Sequence, residues 1–81
     1  MSDDKIEALL RTELGKIAPD IELEDVDRAG DLREEFDIDS MDFLNLVTAL
    51  SKALGLDMPE ADYARMQSFD DMRAYLAERV G

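Results

Sequence analysis

Between Asp39 and Gly55 the apolar residues Phe43, Leu46, Val47, Leu50 and Leu54 recur at intervals of three and four. That spacing lines side chains along one face of an α-helix and cannot serve a β-strand. No other segment limits the fold so tightly. Asp39 stands where an N-cap belongs and Gly55 where a helix ends, so the spacing predicts a helix from Ser40 to about Leu54 with its stripe turned to a core. Met41, Leu44 and Thr48 fall on a second strip beside that stripe, which leaves Met41 and Leu44 partly exposed next to Ser40.

The same periodicity recurs towards both ends. Asp4-Lys5-Ile6-Glu7 has the form of a capping box, and Ile6, Leu9, Leu10, Leu14 and Ile17 follow at helical spacing. A first helix is expected from about Asp3 to Ile17, ending near Pro19, with Gly15 weakening its last turn by about 1 kcal/mol relative to alanine. From Ala18 to Ile38 runs a polar connection anchored by isolated apolar residues: Ile21, Leu23, Val26, Leu32 and Phe36. Asp31-Leu32-Arg33-Glu34 can cap one helical turn within it, and long connections of this kind are often functional. Glu60 to Met66 can make a short helix with Pro59 in its first turn. A last helix begins at Ser68 or Asp70, with Phe69, Met72, Leu76 and Val80 towards the core and Tyr75 or Met72 flanking it. No strand alternation or internal repeat is present. The expected fold is all-α, a four-helix bundle of three main helices and one short one with a long loop after the first, in a single domain over residues 1–81.

Composition then removes several classes of function. The chain has no Cys, hence no disulfide, thiolate nucleophile or cysteine metal site, and no His to take a proton from a serine. Nine basic against 21 acidic residues give a net charge of −12, which repels phosphate backbones and anionic lipid and argues against nucleic-acid or membrane partners. Eleven of the acids fall between Asp20 and Asp42, a field that steers basic partners to that end. No amino-terminal apolar run reads as a signal or membrane span, so a cytoplasmic location is expected. A calcium loop counted from Asp37 would need an oxygen ligand, a glycine and a glutamate where Met41, Asp42 and Thr48 stand, so no metal site is expected. Asp39 and Asp42 read as solvated, without the contrasting environments that separate an acid from a base. No catalytic residue emerges.

Ser40 remains. In the first turn of its helix it lies where backbone N–H groups lack partners and negative charge is favoured. The surrounding acids oppose a free anion, so the position suits a phosphodiester held on a tether. Serine and aspartate also start helices merely as caps, and the dipeptide alone does not decide between these roles.

The wider pattern does: Phe36 four residues before the serine, then Asp39-Ser40-Met41, Leu44, Leu46, Val47 and Leu50, with Met58-Pro59 closing the next loop. It resembles the acyl carrier protein family, whose signature Asp-Ser-Leu opens the second helix, without a gap from Phe36 to about Leu76 and more loosely through the first helix. The resemblance implies an acyl-carrier-like bundle with 4'-phosphopantetheine on the Ser40 hydroxyl, delivered from coenzyme A by a phosphopantetheinyl transferase. The arm ends in a thiol, which explains how a chain without Cys or His can handle thioesters. It implies a non-catalytic carrier, monomeric, that tethers acyl or related intermediates and serves acyl-loading and acyl-processing enzymes with basic docking surfaces. Asp39 would cap the helix and help the transferase, and Met41, Asp42, Leu44 and Asn45 would meet partners. Phe36, Leu46, Leu54, Met66 and Met72 would line a space for the acyl chain. Three departures stand out. The usual glycine three positions before the serine is Asp37, a residue that tolerates a left-handed backbone better than most. Met41 replaces leucine at similar volume. Asn45, Ser51 and Lys52 stand where carriers of fatty acid synthesis have acids, and the connection after the first helix is longer, which is more like free-standing carriers of specialised bacterial pathways. The alternative is a helical interaction module that uses Met41, Leu44 and the acidic segment and carries no arm.

Overall fold

Wherever apolar residues keep the helical period, the chain is helical. The computed structural model describes residues 3–80. In order these form α1 (Asp3–Ile17), a 3-10 turn (Leu23–Asp25), the one-turn helix α2 (Leu32–Glu35), α3 (Ser40–Leu54), a second 3-10 helix (Glu60–Met66) and α4 (Phe69–Val80). Helix α1 packs against both α3 and α4, and the second 3-10 helix packs against α4. The expected three main helices and one short helix are all present. Among the described residues the only β-type pairing is a single antiparallel bridge between Asp31 and Ser68.

The core draws on every part of the chain. Helix α1 contributes Ile6, Leu10 and Leu14, α3 contributes Phe43, Leu46, Val47 and Leu50, and α4 contributes Phe69, Met72, Tyr75 and Leu76. Burying such a side chain fully stabilises by about 1.5–3 kcal/mol. The connection supplies Ala18, Leu32, Phe36 and Ile38, so a polar segment is fastened to the bundle by four buried side chains. Leu54 and Val80, at the ends of their stripes, are only half-buried.

Local chemistry explains the boundaries, with some corrections. Asp39 accepts a hydrogen bond from the Asp42 amide at 2.8 Å and so caps α3. Gly55 closes that helix with φ of 65°, a left-handed conformation that suits glycine, and the Leu56 amide returns to the Ser51 carbonyl. Helix α1 runs straight through Gly15 to Ile17. Asp4 lies within the helical residues of α1 and is not its N-cap, so no capping box forms at Asp4–Glu7 and the acids instead sit near the favourable end of the helix dipole. Ser68, not Asp70, opens α4, its hydroxyl accepting from the Asp71 amide at 3.0 Å. Pro59 is the N-cap of the Glu60–Met66 helix and lies just before its first turn. Tyr75 is fully in the core where a flanking position was expected, because its hydroxyl finds a partner inside, donating to Asp62 at 2.6 Å. Burial, followed by that hydrogen bond, pushes the Tyr75 phenol above its ordinary range.

Candidate functional site

The approach to Ser40 is set by two consecutive helix ends. Asp31 caps α2 by accepting from the amides of Arg33 at 2.9 Å and Glu34 at 3.4 Å. The same turn ends within four residues. The Ile38 amide donates to the Arg33 carbonyl at 3.0 Å and the Asp37 amide to the Glu34 carbonyl at 3.3 Å, the paired bonds of a Schellman closure. That closure needs a left-handed residue, and Asp37 supplies it with φ of 52°. Ile38 then anchors in the core, Asp39 caps α3, and Ser40 is the first residue of the new helix. A bridge from Leu32 N to the Gln67 carbonyl, at 2.6 Å, ties this corner to the turn before α4.

The hydroxyl of Ser40 is thereby held in an exposed place at the positive end of a 15-residue helix. Met41 beside it is 71% exposed and Leu44, one turn on, is 48% exposed, while Phe43, Leu46 and Val47 of the same helix are buried. Asp39 and Asn45 are exposed on the same end of the helix and Asp42 is half-buried. Two large apolar side chains left in water around a hydroxyl, where the opposite face of the same helix is packed, form a surface suited to contact by another molecule.

A cleft of about 580 Å³ opens alongside, lined by Asp31, Arg33, Ser40, Phe43, Leu44, Glu60, Tyr63, Ala64, Met66 and Gln67. The 3-10 form of the Glu60–Met66 segment accounts for one wall. With three residues per turn, Glu60, Tyr63 and Met66 eclipse one another and face the cleft as a ridge, which an α-helix would have spread round its axis. Tyr63 is fixed there by an edge-to-face contact with Phe43, ring centres 5.6 Å apart. The residues that the resemblance implied as lining for an acyl chain lie mostly elsewhere. Of those residues only Met66 borders this cleft. Leu46 and Met72 are packed inward with no exposure, Leu54 is half-buried, and Phe36 lines a smaller hollow of about 240 Å³ by α1.

One contact was not anticipated from sequence. Arg33 Nη1 donates to Ser40 Oγ at 3.2 Å, and its guanidinium lies 5.9 Å from the Phe43 ring centre. The two residues are seven apart and joined by an irregular turn, so no periodicity links them. Their only advance signal is that Arg33 is one of just two cations among the eleven acids of residues 20–42. Among the described residues, no cluster of three side chains is arranged to hold a metal ion, and no helix is long and apolar enough to cross a membrane.

The site therefore presents an accessible hydroxyl with a helix N-terminus behind it, a cation against it and a partly apolar cleft beside it, which suits a bulky phosphate ester with a flexible extension. Residues 4–76 match the family model described as a phosphopantetheine attachment site. That match covers most of the 81-residue chain and agrees with the Asp39-Ser40-Met41 motif. The chain belongs to this family of acyl-carrier-type domains, whose cofactor is a covalently attached 4'-phosphopantetheine.

Proposed function

We propose that the protein carries acyl or related groups as thioesters on an arm joined to Ser40, and presents them to partner enzymes. The observation that carries this reading is the exposed Ser40 hydroxyl at the first position of α3, flanked by Met41 and Leu44 left in solvent. When attached, the arm supplies a thiol, the reactive atom that a chain without Cys lacks.

The chain's own residues do the rest. In loading, a phosphopantetheinyl transferase binds at α3 and a basic group of that enzyme takes the Ser40 proton. The serine oxygen forms its bond to the phosphorus that bears the pantetheine of coenzyme A, and the bond from that phosphorus to the adenosine 3',5'-bisphosphate half breaks. Asp39 keeps the first turn of α3 formed throughout by holding the Asp42 amide. Met41 and Leu44 give partners an apolar grip, while Asp39, Asp42 and the acids of the connection meet basic docking surfaces. The exposed amide of Asn45 is neutral where a further acid would widen that charged face, so it narrows the set of partners. The chain holds and orients the group, and the bond-making side chains belong to the enzymes it visits.

The test is intact-protein mass spectrometry after incubation with coenzyme A, magnesium and a transferase of broad specificity. The protein gains the mass of one phosphopantetheinyl group, and Ser40→Ala, shown to be folded by circular dichroism, gains none. A folded wild-type protein that stays unmodified with two different transferases would favour an arm-free interaction module instead.

A further inference from the structure

We propose that Arg33 is a positioning residue that holds the phosphodiester of the loaded protein. The inference rests on the reading that Ser40 is the attachment point. In the unloaded protein Arg33 Nη1 already reaches the oxygen to be esterified, 3.2 Å away. Esterification puts two non-bridging phosphate oxygens, which share one negative charge, two bonds beyond that atom, within reach of a guanidinium whose fork of donors matches phosphate.

Arg33 is available for this purpose. Among the described residues it has no carboxylate within ion-pair distance, although eleven acids occupy positions 20–42, whereas Arg28 in the same connection is taken up by Glu7 and Asp70. Its place is set from both sides: the Arg33 amide is held by Asp31, and its carbonyl accepts from Ile38 in the Schellman closure. The backbone that aims Arg33 is the same backbone that starts α3. A cation is also needed here on electrostatic grounds, because a phosphodiester adds negative charge to the most acidic part of a chain of net charge −12. Arg33 answers that charge locally and limits the directions in which the arm leaves the serine.

The experiment compares loaded wild-type protein with loaded Arg33→Gln and Arg33→Lys by phosphorus NMR, with mass spectrometry establishing that each carries the arm. In the wild type, loading moves the Arg33 Nε–Hε resonance, and raising sodium chloride from low to molar concentration moves the phosphorus resonance as the pair is screened. In Arg33→Gln the salt-dependent movement is lost, and Arg33→Lys, which keeps the charge but not the fork, retains part of it. A purely structural role for Arg33 would leave the salt response intact in all three. An identical phosphorus shift and salt response in wild type and Arg33→Gln, with both fully loaded, would overturn the inference and leave the carrier reading standing. Failure of the wild type to load would overturn both. If Arg33→Gln resists loading, the wild type against Arg33→Lys decides: a larger salt response in the wild type supports the inference, and equal responses overturn it.

Discussion

The acidic connection holds two arginines five residues apart, and the stretches around them, its Arg28 end and its Arg33 end, are opposite in kind. At the Arg28 end, one side chain donates to Glu7 of α1 at 2.6 Å and to Asp70 of α4 at 3.0 Å, lies 4.8 Å from the Phe69 ring centre, and has a backbone carbonyl that receives the Asp70 amide. The hydrogen bond with Glu7 leads the influences that raise the Arg28 pKa, so the fold holds this cation charged and paired. At the Arg33 end the cation meets a hydroxyl and the edge of a cleft, with its charge left unanswered. One end is closed against the bundle and the other is kept open. The proposed function calls for both, because the segment that delivers Ser40 must not wander while the hydroxyl itself stays within reach of other molecules.

The sharpest way to probe that contrast uses adjacent residues. Leu32 and Arg33 share one turn of α2, yet Leu32 is 1% exposed in the core and Arg33 is exposed. Leu32→Ala removes a packed side chain and leaves a cavity, and is expected to lower stability in urea by about 2–5 kcal/mol. Arg33→Gln is expected to change it by less than about 0.5 kcal/mol. A comparable loss from Arg33→Gln would mean that the open end also holds the fold together.

Arg28→Ala gives the next effect. Its two ion pairs are partly exposed and contribute about 0.2–1 kcal/mol each, and the contact with Phe69 adds about 0.5–1 kcal/mol. A total loss of about 1–3 kcal/mol is expected, smaller in high salt, where the ionic part is screened and the packing part persists. Equal losses for Arg28→Ala and Arg33→Gln in thermal or urea unfolding would erase the difference between the two ends.

Much of this arrangement could be read before the fold was known, and the parts that could not share a cause. Helices α1, α3 and α4, the caps at Asp39 and Ser68, the closure at Gly55 and the exposure of Met41 and Leu44 all follow from residues within one or two turns of each other. Ile38 lacks such neighbours, so nothing in the polar run around it signals its burial. The inward turn of Tyr75 depends on Asp62, thirteen residues away on another helix. The Glu60–Met66 segment carries no apolar period long enough to separate three residues per turn from 3.6, so the ridge that Glu60, Tyr63 and Met66 present to the cleft was not legible in the sequence. The contact of Arg33 with Ser40 passes through a left-handed turn, a geometry that side-chain periodicity does not encode.

That turn supplies the smallest and most specific prediction. Two helices end in left-handed residues, α3 with Gly55 at φ 65° and α2 with Asp37 at φ 52°, and only the second carries a Cβ. Asp37→Ala and Asp37→Gly remove the same carboxylate from the same exposed position, so any effect of charge cancels between them. What differs is the backbone: alanine resists the left-handed region by roughly 1–2 kcal/mol, while glycine enters it freely but gives up more freedom on folding. The two opposing effects leave Asp37→Gly more stable than Asp37→Ala by about 1 kcal/mol in urea unfolding, with the aspartate between or near the glycine. Should alanine equal glycine, the left-handed closure of α2 is not required. The fixed aim of Arg33 at Ser40 would then have to come from Asp31 and the buried side chains of Leu32, Phe36 and Ile38 instead.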